Sequence, residues 1–539
     1  MILPDVRDYQ FLREEFRWDL PERYNIARAV CDNWAEREPD RTALIYKHSD
    51  GSVENISYGR LRAEANQLAN LLNRAGIGAG DRVAILLPQS METVISHIAI
   101  YKLGAVAVPL AALFGVEALE YRLNNSGAKA LVTAKASLPK ITEICGRLET
   151  LQTIYSIDGA GELAEDLHSA LAQESAEYET ADTGINDPCL MIYTSGTTGP
   201  PKGALHGHRV LPGHLPGVQF SHEFLPQPGD KLWTPSDWAW AGGLLNVLLP
   251  GLFFGVPVVG QKSEKFDPEA AYALMEELSI RNVFIAPTAM KIMRMIENPS
   301  EKYDLNLRTL FSGGEAVGRE LQDWALSNFG IPINEVFGQT ECNLVLTSCA
   351  EIGVFRKGAI GKPVPGHEVA IVDNNGVQLP IGESGNIAVK RPDPVMFLEY
   401  WGKRNATVNK YAGDWLLTGD QGVQDEDGYF FFVGRDDDVI TSAGYRIGPG
   451  EIEDCLIGHE AVKLAAVIGK PDPVRTEIVK AFIVLNEGFD ETGNLADEIT
   501  TYVRERLSAH EYPREIAFCE SLPLTTTGKV IRRLLREEA

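Results

Sequence analysis

YTSGTTGPPKG, Tyr193 to Gly203, is the stretch on which the chain turns. It holds Gly196, Gly199 and Gly203, hydroxyl side chains at Thr194, Ser195, Thr197 and Thr198, and one base, Lys202. The apolar run Leu190-Met191-Ile192 leads into it and predicts a buried strand. A glycine- and hydroxyl-rich turn after such a strand suits a polyphosphate. Glycines let backbone N–H groups converge on an anion, hydroxyls add donors, and the lysine supplies charge. The spacing is not that of a Walker A loop, because Lys202 is followed by Gly203 rather than Ser or Thr. A plain surface linker would have no need of Pro200-Pro201-Lys202 after so many donors.

Outward from this stretch, the 539 residues are enough for three or four compact units. A hydrophobic share of 44% and a charged share of 23% are those of a soluble globular protein. The net charge of −25 argues against nucleic acid and against anionic membrane surfaces. Seven scattered cysteines without a CxxC pair suggest reduced thiols in the cytoplasm. MILPDVRDYQ lacks the basic and apolar regions of a signal peptide. The long apolar stretch Leu244 to Gly260 is broken by Pro250, Gly251, Gly255 and Pro257. It is expected to form buried strands and turns, not a membrane span.

Along the chain, RVAILLP, METVISHIAIYKLG and AVAVPL between Asp81 and Leu110 predict a βαβ unit and hence a parallel sheet. His206, His208, His214 and His222 follow the loop without a cysteine or carboxylate at zinc spacing, and are expected to pack or cap. KLWTPSDWAWAGG places Trp238 and Trp240 beside Gly242-Gly243, a pair expected to leave a void that a core would fill. A pocket wall and plain core weigh about equally there. Thr309 to Ala316 predicts a strand opening into a glycine turn, and such loops at strand C-termini hold ligands. EVFGQTE, 335–341, offers an aromatic that could stack on a base and a carboxylate that could hold Mg2+. Gly434 to Glu453 has the composition of a junction between domains, and about a hundred residues after it suffice for a separate α+β domain.

These motifs resemble those of the adenylate-forming superfamily, which includes acyl-CoA synthetases, adenylation domains and luciferases. The phosphate-type loop, SGGEAV at 312–317, FGQTE at 337–341, TGD at 418–420, GRDDDVI at 434–440, GYRIGPGEIE at 444–453 and PLTTTGK at 523–529 occur in that family's order. They cover the chain from about residue 190 to its end. GYRIGP and PSDxxW look most like the acetyl and medium-chain acyl-CoA synthetases. The resemblance implies an α/β fold: a large N-terminal domain, 1–436, with two parallel-sheet subdomains and a small β-barrel, and a mobile C-terminal α+β domain, 437–539, with Asp437 at the hinge. It implies an AMP-forming acyl-CoA ligase with Mg2+, ATP and coenzyme A, acting on a small carboxylic acid.

Residue by residue, the resemblance assigns the β- and γ-phosphates to Thr194, Ser195, Gly196, Thr197, Thr198, Gly199 and Lys202. Gly314, Glu315, Ala316, Glu335, Val336 and Phe337 would flank the adenine, with Gly338 and Gln339 beside them. Thr340 would bind the α-phosphate, Glu341 the Mg2+, and Asp420 and Arg435 the ribose. Ser442, Ala443, Gly444 and Tyr445 would line the pantetheine path, and Arg446 would face phosphate. Lys529 would bridge the carboxylate and α-phosphate. It is also the target expected of a lysine acetyltransferase, and a homo-oligomer is compatible with all of this. Acetate-selective relatives close the acyl pocket with Trp at the position of Gly338 and with Val and Thr at those of Ala241 and Gly242. Smaller residues here, beside Trp240, are expected to open it to acids of about four to eight carbons. An enzyme that loads a carrier protein and a silent nucleotide-binding regulator are the other readings.

Overall fold

The computed structural model describes residues 2–194, 200–263, 265–435, 438–442, 445–473, 475–507, 512–524 and 529–539. Strand Arg82–Leu86, helix Met91–Lys102 and strand Val106–Pro109 form the expected βαβ unit, and the two strands pair in parallel. The helix starts where Ser90 caps it, its hydroxyl accepting from the Thr93 N–H at 3.2 Å. Every residue of this helix except Glu92 is buried, as a helix sandwiched within an α/β core must be.

Two large sheets follow from such units. One contains eight strands and runs from Glu399–Tyr400 through Lys202–Gly207, Pro188–Thr194, Val106–Pro109, Arg82–Leu86 and Ala130–Thr133 to Thr153–Ser156 and Glu165–Asp166. The other contains nine, with Thr309–Gly313 between Ile333–Gln339 and Asn282–Phe284 near its middle. A third, five-stranded sheet is antiparallel and includes Trp415–Gln424 and Phe430–Arg435. The fourth, which begins at Ile440 and is built on the long hairpin Val462–Asp472 and Thr476–Leu485, belongs to the C-terminal unit and has its own core.

Leu244 to Gly260 departs from the expected strands and turns. It forms a π-helical turn at Leu244–Leu248, a helix at Leu249–Phe254 and only then a strand, Val258–Gln261. An unbroken apolar run has neither the two-residue nor the 3.6-residue period, so it cannot distinguish the two states. The punctuation does: Pro250 sits in the first turn of the helix, and Gly255 ends it in the left-handed region at φ 68°.

The C-terminal unit docks through helix Pro449–Ile457. Its Asp454 carboxylate accepts from the Arg319 N–H at 2.9 Å, at the start of helix Gly318–Phe329. The carboxylate thus caps a helix of the other unit. Gly318, at φ 79°, makes room for it, since a β-carbon there would stand 2.2 Å from Asp454 Oδ1.

Candidate active site

Strands Pro188–Thr194 and Lys202–Gly207 form an antiparallel hairpin in which Thr194 lies opposite Lys202. Ser195, Gly196, Thr197, Thr198 and Gly199 lie outside the described residues. The outer edge of the hairpin pairs with the short strand Glu399–Tyr400, Leu205 opposite Glu399 and Ala204 opposite Tyr400. This pairing delivers Tyr400 to the site. Its ring centre is 4.9 Å from Lys202 Nζ, and its hydroxyl donates to Glu341 Oε1. One oxygen of the buried Glu341 is therefore held by a phenol; burial and the adjacent carboxylate push that phenol's pKa far up, so it stays a donor.

The parallel strands Thr309–Gly313 and Ile333–Gln339 bring Gly314-Glu315-Ala316 beside Glu335-Val336-Phe337. Gly314 turns at φ 93°, a conformation that favours glycine. Glu335 is buried and accepts the Val317 N–H at 3.2 Å; burial pushes its pKa up to about 8. Gln339 Nε2 donates to Asp420 Oδ2 at 2.5 Å and to the Thr418 carbonyl at 2.8 Å, and Lys410 Nζ donates to that same carbonyl at 3.0 Å. Asp420 faces Arg435 across strands Trp415–Gln424 and Phe430–Arg435. Burial raises the Asp420 pKa, opposed by Arg435, Gln339, Lys410 and Lys529. Lys529 comes from the C-terminal unit, and its Nζ lies 3.9 Å from where a β-carbon on Gly314 would stand.

Thr194, Lys202, 314–316, 335–339, Thr340, Glu341, Tyr400, Lys410, Thr418, Asp420, Arg435 and Lys529 line one cleft of about 1220 Å3. Trp240, Ala241, Gly242 and Gly338 line the same cleft, and Trp240 meets Phe114 edge-on at 5.7 Å. Trp238 is fully buried and belongs to the core. Gly242 and Gly243 both line the cleft, as a pocket wall would, although a β-carbon on Gly242 would stand 2.7 Å from the Phe284 ring and one on Gly243 2.5 Å from the Asp237 carbonyl. One expectation needs correction: Gly338 is not an open position, since a β-carbon there would fall 1.2 Å from the Asn343 carbonyl oxygen. The register shifts at Phe337/Gly338, and this bulge requires glycine.

Of the pantetheine residues, Ser442 lies opposite Tyr445 in the C-terminal sheet. Ser442 is buried in the C-terminal sheet and does not line the cleft. Ala443, Gly444 and the hinge position Asp437 lie outside the described residues, as do the side chains of Tyr445 and Arg446. The four histidines after the loop are buried, as expected of packing groups, and burial depresses each of them. Among the described residues no group of three or more His, Cys, Asp or Glu could hold a metal. Mg2+ takes one or two carboxylates plus phosphate oxygens and water. Glu341, held at one oxygen, is the carboxylate that fits.

Lys202, Thr340, Glu341, Asp420, Arg435 and Lys529 thus share one cleft with 314–316 and 335–339, and the sequence comparisons agree with that geometry. Residues 31–401 match the model of the AMP-binding enzyme family, and residues 451–529 match that of the AMP-binding enzyme C-terminal domain. The chain belongs to the AMP-binding enzyme family. Among its relatives is an acetyl-coenzyme A synthetase of Bacillus subtilis, 36% identical over 95% of this chain and 90% of that protein. The mitochondrial acyl-coenzyme A synthetase ACSM3 of Rattus norvegicus is 33% identical over 98% of this chain and 93% of its own. The crystal structure of an anthranilate CoA ligase, AuaEII, in complex with anthranoyl-AMP superposes with a TM-score of 0.89, at 30% identity over 96% of this chain and 98% of that one. AMP-binding enzymes of this acyl-CoA synthetase type join a carboxylic acid to coenzyme A, converting ATP to AMP and pyrophosphate in the presence of Mg2+. Among the described residues no helix is long and apolar enough to cross a membrane.

Proposed function

We propose that this cleft activates a small carboxylic acid larger than acetate as its acyl-adenylate and passes the acyl group to coenzyme A. The observation that carries this reading is the position of Lys529 against Gly314, in the same cleft as Lys202, Thr340 and Glu341. In the first half-reaction the carboxylate attacks the α-phosphorus and pyrophosphate leaves. Lys202 and Lys529 offset the charge that develops, and Thr340 orients the α-phosphate. Asp420, aligned by Gln339, accepts from the ribose hydroxyls, while Phe337 and Gly314-Glu315-Ala316 bracket the base. Mg2+, when bound, neutralises phosphate charge; Glu341 would hold it and Tyr400 would keep Glu341 aimed.

In the second half-reaction the thiol of coenzyme A attacks the acyl carbonyl and AMP leaves. Since Ser442 stands away from the cleft, the 437–539 domain would have to turn about Asp437 to bring 442–446 into it. Seven free cysteines support a reducing, cytoplasmic setting. The exposed Lys529 ammonium is the group whose acetylation by a lysine acetyltransferase would abolish the first step. The test is pyrophosphate release and thioester yield over a panel of acids with free coenzyme A. Pyrophosphate without thioester on free coenzyme A would favour a carrier protein as acceptor, and no pyrophosphate with any acid would refute the ligase reading.

A further inference from the structure

Helix Pro449–Ile457 meets helix Gly318–Phe329 through two reciprocal close approaches, each a carboxylate of one unit set against a glycine of the other. Asp454 comes over Gly318 and accepts from the Arg319 N–H at 2.9 Å. Glu320 in turn comes over Gly458, where a β-carbon would stand 3.1 Å from Glu320 Oε1 and 3.0 Å from the Tyr502 hydroxyl. Glu320 has its counter-charge within its own unit, Arg294 at 3.6 Å. One capping hydrogen bond and close packing are modest in strength, so such a contact can open and re-form.

The same helix carries a second connection, made by the neighbour of Asp454. Glu453 accepts from Arg532 Nη2 with both oxygens, at 2.6 and 2.8 Å, and its Oε1 also accepts the Val467 N–H at 2.7 Å. Arg532 Nε donates to the Val467 carbonyl at 3.2 Å. Hydrogen bonds between two ionised groups are the strong ones. Arg532 opens helix Arg532–Glu537, and Lys529 stands one turn's length before it, next to the bridge that joins Leu524 to Val530. A lysine side chain rotates freely, so its aim depends on how firmly its backbone is held.

We infer that Asp454 and Glu453 are positioning residues for the adenylation step: Asp454 fixes the helix on Arg319, and Glu453, through Arg532, fixes the Lys529 segment on that helix. Neither carboxylate lines the cleft. The inference rests on the ligase reading and adds to it the contacts that favour one half-reaction over the other.

The experiment follows the two half-reactions separately on the full-length enzyme: pyrophosphate exchange with ATP, Mg2+ and an acid the parent uses, and thioester formation from supplied acyl-adenylate and coenzyme A. Asp454→Ala should slow exchange about three- to tenfold, the loss expected of one helix cap, and Glu453→Gln should slow it too. Transfer to coenzyme A should be unchanged or faster, since it needs the unit turned away. Asp454→Asn keeps an acceptor for the Arg319 N–H and should restore most of the exchange rate. Gly458→Ala tests the contact from its other side. Its φ of −69° suits alanine, so the β-carbon disturbs side-chain neighbours alone, and exchange should fall again even if Asp454→Ala melts early. In a Lys529→Ala background Asp454→Ala should cost nothing more, because it acts through that lysine. An equal fall in both half-reactions, no fall in either, or full additivity with Lys529→Ala overturns the inference while the ligase reading stands. If the parent releases no pyrophosphate with any acid, the ligase reading itself falls.

Discussion

Lys529 and Gly314 meet across two structural units: the lysine ammonium lies 3.9 Å from the site of the missing β-carbon on the glycine. The contact places the ammonium beside the turn that follows strand Thr309–Gly313.

Lys529→Ala should therefore reduce adenylation by about a hundred- to a thousandfold, the usual cost of removing one preorganised charge donor. Transfer from supplied acyl-adenylate to coenzyme A should survive. Pyrophosphate exchange and single-turnover thioester formation separate the two steps, and equal loss in both would contradict the assignment.

Tyr400 touches no substrate in the proposed scheme, yet it holds one oxygen of Glu341. Tyr400→Phe should raise the Mg2+ concentration for half-maximal activity by about tenfold, as loss of an outer-shell partner does. A titration of rate against Mg2+ checks this. An unchanged midpoint with a lower maximum would point instead to disturbed packing against Lys202.

Phe284, not Gly338, is the expected determinant of depth at the acyl end. Phe284→Ala should move the preferred acid to longer chains by about two to four methylenes, each worth about 0.8 kcal/mol when buried. Gly338→Trp should lose folding or activity altogether instead of becoming acetate-selective, because its β-carbon would overlap the Asn343 carbonyl. An acid panel on both variants decides it, and an active, acetate-preferring Gly338→Trp enzyme would overturn the steric argument.

Glu335 should make stability depend on pH. Its folded pKa, about 8, lies above the unfolded value, 4.5. Between those values the folded chain keeps a proton that the unfolded chain has released, so stability falls as pH rises through this window. Glu335→Gln keeps a neutral group in place. The Tm of the substrate-free variant should match the parent near pH 5 and exceed it near pH 8. Parallel Tm profiles across that range would show that Glu335 ionises freely.

Local order was readable in the sequence where a period or a glycine marked it. The pattern from Arg82 to Pro109 specified its βαβ unit, and the compositions of 193–203, 309–316 and 335–341 flagged candidate ligand stretches. Between Leu244 and Gly260 nothing but Pro250 and Gly255 separated helix from strand, and the pattern was misread. Side chains acting at a distance left no trace. Tyr400 sits in a plain FLEYW run and matters because a strand pairing carries it to Glu341. How close Phe284 comes to Gly242 was a question of volume that only the neighbouring strand could answer.

The pairing of Leu205 with Glu399 joins positions almost two hundred residues apart, and it covers the outer edge of the phosphate hairpin. During synthesis that edge stays bare until the chain has been made past Tyr400, exposing a ready template for misassociation. Contacts so distant in sequence form slowly, because the intervening loop must close first. The hairpin and the acidic residue aimed by Tyr400 should thus mature together and late, and a nascent chain halted near residue 390 should engage chaperones while holding no nucleotide.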